Sequence, residues 1–404
     1  MASVEQIRSM FPALRRSHHG VPVAYLDGPG GTQVPQSVVD AMADYLLHHN
    51  ANTHWAYPTS NETDAMLQDA RETMATFVGG NADEISFGSN MTTITFHLAR
   101  ALGRGWREGD EIVVTELDHH GNIAPWQALA RERGVVLRWL PLDLGTCRLR
   151  LDMLQELLTP RTRLLAIGAA SNILGTVTDV ATATRMAHAA GALVFVDGVH
   201  YTPHYLPDVV ALDCDFFACS AYKFHGPHVG ALWARRELVE RLDVPRLEPA
   251  PDSSPERLET GTQNHEGIIG AAAAVRWLAA LSGGTGSLRT ELATAFAAIH
   301  HREALLVTQL WDGLSAIRGV SLFGPPPDSS RTATVSFSLA GFDSGQVALA
   351  LADRGCFVSN GDFYASTVAR LLGKDQDGLV RIGAACYTTS DEIDRVLEGV
   401  RSLS

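Results

Sequence analysis

Between residues 84 and 235, short runs rich in β-branched and aromatic residues alternate with stretches of helical periodicity. The runs are EISF (84–87), EIVVTEL (111–117), VVLRWLPL (135–142), RLLAIGAAS (163–171), ALVFVDGV (192–199) and CDFFACSA (214–221). Amphipathic spacing fills the gaps at 92–104, 125–133, 151–158 and 180–190. Nearly continuous apolar strands separated by helices are what a mostly parallel sheet, covered on both faces, requires. The crossovers should be right-handed. In such α/β sheets ligands bind beyond the carboxyl ends of the strands, so the residues just after each run carry the most information.

The pattern changes after about residue 265. A helical stretch, Gly267–Ala280, leads to the break SGGTGS, and a long helix over Leu288–Leu314 follows. Then come TATVSFSL, a helix around Ser344–Arg354, CFVSN, LVRIGAACY and a last helix whose Thr389 and Glu392 have the spacing of a capping box. The expected organisation is a large domain over 21–265 and a smaller α+β domain over 266–404, with residues 1–20 packing on the smaller one. No internal repeat interrupts this reading.

Composition narrows the function. Of 404 residues 46% are hydrophobic, enough for a sizeable core, and the net charge is −13. No basic stripe is available to neutralise phosphates, so no nucleic-acid partner is expected. Five scattered cysteines without a CxxC pair read as reduced thiols. The start, MASVEQIRSMFPALRR, has no apolar leader core, and no run is long enough to span a bilayer. A soluble, cytoplasmic protein with no membrane partner is expected. The doublets His18-His19, His48-His49 and His300-His301 lack metal-ligand spacing, and His48, His49 and His54 have no supporting cysteine or carboxylate pattern, so no metal site is expected.

Four strand ends finish in chemistry-bearing residues. They are Asp118-His119-His120-Gly121-Asn122, Ser171-Asn172, Asp197-Gly198-Val199-His200 and Ser220-Ala221-Tyr222-Lys223. Asp197 follows four apolar residues, so its carboxylate needs a partner. That partner is either a core hydrogen bond or the ring nitrogen of a cofactor. Lys223 lies between FFACSAY and FHGPHVG, where desolvation lowers an amine's pKa and makes it a good Schiff-base nucleophile. His119 reads either as a loop histidine bonded to backbone or as a ring that stacks on a cofactor and moves protons. The strand–turn–helix Gly88-Ser89-Asn90-Met91-Thr92-Thr93 offers free N–H groups to a phosphate, and a simple N-cap explains it equally well. LDGPGGT lacks the strand–helix setting of a dinucleotide fingerprint. Ser220-x-x-Lys223 matches an acyl-enzyme motif, but the accompanying S-D-N and K-T-G are absent.

As a set these residues are recognisable. The chain resembles the class V, fold-type I enzymes that use pyridoxal 5'-phosphate, and among them the group II cysteine desulfurases. AYLDGPGGTQVPQSV, DHHGNIAPW, SNILG, VDGVH, FFACSAYKFHGPHVGALW and ETGTQN carry the resemblance over nearly the whole length. It implies a mostly parallel central sheet of the seven-stranded type, flanked by helices, with a smaller α+β C-terminal domain. It implies that Lys223 holds the cofactor as a Schiff base and moves protons, that His119 stacks on its ring and that Asp197 pairs with its ring nitrogen. Ser220 and Thr92, with backbone groups at Asn90 and Met91, would hold the phosphate. His200 and Tyr222 would flank the cofactor. Thr262 would reach the phosphate of a second copy, which implies a homodimer with shared active sites. Asn172 and Arg381 would face the carboxylate of an amino-acid substrate, Arg381 as a bidentate clamp. Gly30, His54 and Tyr364 complete the substrate side.

Three departures qualify the resemblance. Those desulfurases have glutamine where this chain has His200 and histidine where it has Tyr222. Their mobile loop carries the cysteine that accepts sulfur, whereas the matching stretch here is Val358-Ser359-Asn360-Gly361-Asp362-Phe363-Tyr364-Ala365. The loop's arginine is likewise replaced, by Ser359. Persulfide chemistry needs a thiolate at that loop tip. The expected activity is therefore a C–S lyase or related Cα/Cβ reaction on an L-amino acid, with transamination or epimerisation as alternatives. A non-catalytic binding protein on the same fold is the contrasting class. Retention of Lys223, Asp197, His119 and Arg381 argues against it.

Overall fold

A computed structural model describes all 404 residues. Seven strands build the central sheet: β1 Ile85–Gly88, β2 Glu111–Thr115, β3 Val136–Leu140, β4 Thr162–Gly168, β5 Leu193–Asp197, β6 Phe216–Ser220 and β7 Gly230–Ala234. Their spatial order is β3-β2-β4-β5-β6-β7-β1, and only β7 runs antiparallel to its neighbours. Alternate residues of the central strands feed two separate cores. Val113, Leu165, Ile167, Val196 and Phe217 enter one, while Ile112, Val114, Leu164, Ala166, Phe195 and Phe216 enter the other. Both faces being buried is why these strands read as continuous apolar runs rather than alternating ones. Each fully buried large side chain contributes about 1.5–3 kcal/mol relative to exposure.

The apolar pattern marks six of the seven strands but overruns the carboxyl ends of most of them. The overrun is informative, because there the chain leaves the ladder while still buried in order to form the site. The pattern also passes over β7, a five-residue GALWA segment that follows the Gly226-Pro227 turn. The helices Gln36–Asp44 and Pro58–Val78 were not anticipated either. The second is polar over most of its surface and buries Ala70, Met74, Phe77 and Val78 along one narrow stripe, before Gly79 ends it in a left-handed conformation.

A second sheet, entirely antiparallel, comprises β8 Val320–Phe323, β9 Thr334–Leu339, β10 Ser359–Gly361 and β11 Leu379–Gly383 in the order β8-β9-β11-β10. It has its own core, in which Val335, Phe337, Val380 and Ile382 meet Leu310, Leu351 and Val396 of the helices behind it. The last helix, Ser390–Arg401, carries the expected capping box, Thr389 and Glu392 each bonding the other's backbone N–H at 2.9–3.2 Å. The strand Ala24–Tyr25 pairs with Cys356–Phe357, and Asp27 bridges to Gly383, so this early segment is built into the smaller unit. The N-terminal helix reaches that unit through Arg8, which bonds Glu392 and the Tyr387 carbonyl, while Ile7 and Phe11 enter the larger core. No helix is long and apolar enough to cross a membrane.

Candidate active site

Strand register brings the chemistry together. Asp197, the last residue of β5, lies level with Gly168 of β4 and Ala218 of β6. Beyond this edge a cavity of about 1000 Å³ is lined by Asp118, His119, Asp197, His200, Ser220 and Lys223 from the large sheet. The smaller unit closes it with Arg381 and the loop from Asn360 to Tyr364.

Lys223 is buried, and its Nζ donates to the carbonyls of Pro29 and Gly30 while standing 4.8 Å from the Tyr222 ring centroid. Burial, reinforced by the nearby Arg381 charge, lowers its pKa to about 7. Asp197 Oδ1 accepts the Val199 N–H at 2.9 Å, and no cation of the chain bonds the carboxylate. Burial pushes its pKa up to about 6. Asp118, named at a strand end but given no role from sequence, is the second buried carboxylate. It accepts from the Gly168 N–H at 2.9 Å and the Asn122 side chain at 2.8 Å, and burial followed by the Asp197 charge pushes it up to about 7. Its signal was its position immediately before His119 in DHHGNIAPW.

His119 Nδ1 accepts the Gly121 N–H at 2.9 Å, which leaves the proton of the neutral ring on Nε2. Burial, then the Lys223 charge, lowers this imidazole to about 4, so it is neutral at pH 7. His200 Nε2 lies between the hydroxyls of Thr332 and Thr334 at 2.9 and 3.1 Å, and its Nδ1 is buried without a partner. Tyr222 stacks on His228 with centroids 5.0 Å apart and an interplanar angle of 13°. At another corner Asn90 caps the helix Met91–Gly103 by accepting the Thr93 N–H at 2.9 Å, and Met91 N–H donates to Ser220 Oγ at 3.1 Å. Thr92 lines the same corner. A Cβ on Gly230 would lie 2.5 Å from the Asn90 carbonyl carbon, so only glycine lets β7 pass this turn.

Arg381 is fully committed in orientation. Nε donates to Ser359 Oγ at 3.1 Å, one terminal nitrogen to the Asn172 carbonyl at 3.1 Å, and the other to Asp27 Oδ1 at 3.0 Å. The Phe363 ring lies 4.1 Å from its guanidinium carbon. One N–H on each terminal nitrogen is left over, the fork a carboxylate takes. Asn172 donates to the Phe363 carbonyl at 2.9 Å, and its Oδ1 is buried and unpartnered. Asp27 and Phe363 were not anticipated. The first sits in LDGPGGT, the same motif that supplies Gly30.

Most expected residues meet at this cavity, Gly30 among them. Two do not within one chain. His54 is exposed, and its ring nitrogens lie 3.6 Å from Asp64 and 3.7 Å from Glu256. Thr262 lines a neighbouring cavity that shares Ser89 and His228 with the first. Tyr364 lines the mouth but is 73% exposed, held by its carbonyl, which accepts the His120 N–H at 2.7 Å. None of the five cysteines lines the cavity. All are buried, and burial raises the pKa of every one.

The chain belongs to the aminotransferase class-V family, whose model matches residues 24–396, and the desolvated lysine, buried carboxylate and helix N-terminus around one cavity accord with that membership. Within the class the chain belongs to the cysteine desulfurase-like family. It is 35% identical to a cysteine desulfurase of Klebsiella pneumoniae subsp. pneumoniae, over 99% of this chain and 98% of the other. It is 33% identical to one of Dickeya dadantii, over 99% and 96%. Among solved structures, the apo cysteine desulfurase of Thermococcus onnurineus superposes with a TM-score of 0.90 at 28% identity, covering 100% of this chain and 98% of that one. Cysteine desulfurase CsdA of Escherichia coli gives 0.86, also at 28% identity and with the same coverage. The protein is therefore a pyridoxal 5'-phosphate-dependent enzyme. Its cavity fits that group: a near-neutral amine, a carboxylate without a cation, a capped helix start beside a serine hydroxyl, and two buried polar atoms, His200 Nδ1 and Asn172 Oδ1, with nothing to bond.

Proposed function

We propose that this enzyme acts on an L-amino acid as a C–S lyase, or in closely related Cα/Cβ chemistry, without passing sulfur to a cysteine of its own. The observation that carries the reading is the loop at the mouth. Asn360 to Tyr364 line the cavity, the loop holds no thiol, and every cysteine of the chain is buried with its pKa raised. A buried thiol with a raised pKa is a poor sulfur acceptor at pH 7.

Pyridoxal phosphate, when bound, supplies the electron sink that lets a bond at the substrate Cα break. The chain's own residues do the rest. Lys223, with a pKa near 7, holds the cofactor aldehyde and then takes or returns a proton at Cα. Asp197, a buried carboxylate, would pair with the ring nitrogen and keep it protonated. Neutral His119 would pack on the ring. Ser220, Thr92 and the N–H groups at Asn90 and Met91 would hold the phosphate, and His200, Tyr222 and Asn172, which line the same cavity, would flank the ring. The free fork of Arg381 binds the substrate carboxylate, its geometry fixed by Ser359, Asn172 and Asp27. Tyr364 and Asp362 stand where the substrate side chain leaves the cavity.

Thr262, exposed and outside its own chain's cavity, is read as reaching the phosphate of a second copy, which makes the enzyme a homodimer with Gly30 and His54 on the substrate side. Five unpaired cysteines support a reducing, cytoplasmic compartment.

Incubation with L-cysteine tests the activity. A lyase releases sulfide, ammonia and pyruvate in equal amounts, with one water consumed. Alanine together with a cyanide-labile persulfide on the protein would overturn the proposal. Keto acid without sulfide, or Cα deuterium exchange alone, would replace it with transamination or epimerisation.

A further inference from the structure

Away from the active site, His18, His19 and Asp353 bring one ligand atom each to within 4.8 Å of one another. This cluster is not visible along the chain, because adjacent histidines lack ligand spacing in a helix and the third group lies far away in sequence. The fold supplies the missing relation. Ser17–His18 and Val21–Pro22 form a two-residue hairpin whose loop residues, His19 and Gly20, both have positive φ, 50° and 79°. Asn, Asp or Gly is usual at the first of these positions, and histidine is among the other residues that tolerate it. The left-handed backbone turns the two rings toward each other, with centroids 4.0 Å apart. His18 is steadied by an edge contact with Phe357, 5.6 Å away.

Asp353 is the last residue of the helix Ser344–Asp353, where unpaired carbonyls already concentrate negative potential. A carboxylate at that end is unfavourable by itself and favourable beside a cation. Its Oδ1 lies 3.9 Å from His19 Nε2, and both side chains are about two-thirds exposed (66% and 65%), so small rotations can close the set. Metal bonds of about 2.0–2.2 Å require ligand atoms roughly 3.3 Å apart, within reach of those rotations.

We propose that these three residues form a binding site for a divalent transition metal, zinc in the first instance. Two imidazoles and one carboxylate suit zinc, nickel or copper and disfavour magnesium and calcium. Three protein ligands leave positions for water. Arg395 bonds the Pro22 carbonyl of the same hairpin at 2.7 Å, a positive charge that would weaken cation binding, so the expected affinity is about micromolar. Bound metal clips the hairpin to the helix, just ahead of the segment that delivers Asp27 to Arg381.

The test is calorimetric titration of zinc chloride into untagged, chelator-treated holoenzyme. One equivalent should bind at micromolar concentration and raise the melting temperature. His19→Ala and Asp353→Asn alter exposed side chains and should each weaken binding about tenfold or more and abolish the thermal shift. Cobalt in place of zinc should show d–d absorption without a thiolate charge-transfer band. The proposal is overturned by absence of binding at millimolar zinc, by binding that both variants retain, or by a thiolate band, which would place the metal on a cysteine.

Discussion

The two ends of β2 handle buried charge in opposite ways. At its start, Glu111 is fully buried and accepts from Arg138 at 2.7 and 2.8 Å, from Arg161 at 3.0 Å and from Thr159 at 2.7 Å. The Arg138 bonds, working against burial, hold its carboxyl down at about 2. Beyond the other end lies Asp118, near Asp197 at the end of β5; both are buried without a cationic hydrogen-bond partner, and their pKa values rise to about 7 and 6. Burial alone therefore does not distinguish structure from function. One edge satisfies its charge inside the chain, while the other holds it ready for something the chain does not contain.

The largest effect should come from removing the amine on the open edge. Lys223→Ala is expected to lose the borohydride-reducible visible absorption entirely and to slow turnover on the order of 10³-fold or more. The chain has only one other lysine, Lys374, which lies over the Phe323 ring, so a reduced cofactor adduct mapped by mass spectrometry is unambiguous. Label on Lys374 alone would refute the assignment. Arg381→Ala should raise KM for an amino acid about 10²-fold, the worth of a charge-assisted bidentate pair of about 3 kcal/mol, with cofactor absorption kept. Asp27→Asn should reproduce a smaller part of that KM change, since Asp27 acts only through Arg381.

The closed edge should respond in stability instead. Glu111→Gln is expected to cost about 2 kcal/mol, read from the denaturant midpoint, and to leave the cofactor spectrum unchanged. The pH signs are opposite at the two ends. Glu111, lowered from 4.5 to about 2, contributes stability that is present above pH 4.5 and lost as pH falls toward 2. Asp118 and Asp197, raised from 3.8, penalise the apoenzyme increasingly as pH rises from about 4 to 7. Cofactor binding should flatten the second dependence and not the first. Lys223 adds a kinetic readout: below pH 7 its amine is mostly protonated, so cofactor capture by apoenzyme should slow about tenfold per pH unit. A flat profile from pH 5 to 8 would contradict a depressed amine.

Much of the open edge was legible because strands that end in one place announce themselves as apolar runs followed by polar residues. Asp197, Ser220 and Lys223 follow from that pattern alone, and His119 from the loop after β2. What stayed hidden depends on partners distant in sequence. Asp27 gains its role only because Ala24–Tyr25 pairs with Cys356–Phe357, and Phe363 only because the smaller sheet carries Arg381 beneath it. β7 and the helix Pro58–Val78 were missed for a related reason: a short buried strand has no alternation, and a mostly polar helix shows little of its single buried stripe.

The smallest expected effect lies on the loop at the mouth, in contrast to the buried floor of the cavity. Phe363 and Tyr364 both hold left-handed backbone, φ 56° and 57°, and the loop is fastened by main-chain groups rather than by the Tyr364 ring. The Tyr364 carbonyl takes the His120 N–H, its N–H donates to Asp362 Oδ1 at 3.0 Å, and Asn172 holds the Phe363 carbonyl. Truncating the side chain should therefore leave the loop in place and report on the ring alone, which stands 5.6 Å from His119. Tyr364→Ala is expected to lower kcat/KM about three- to tenfold, more for bulky Cβ substituents than for cysteine, and Tyr364→Phe about twofold. Cofactor capture should match the parent enzyme in both. Unchanged kinetics in both variants would remove Tyr364 from the substrate side and shift the choice of reaction to Asp362 and His200.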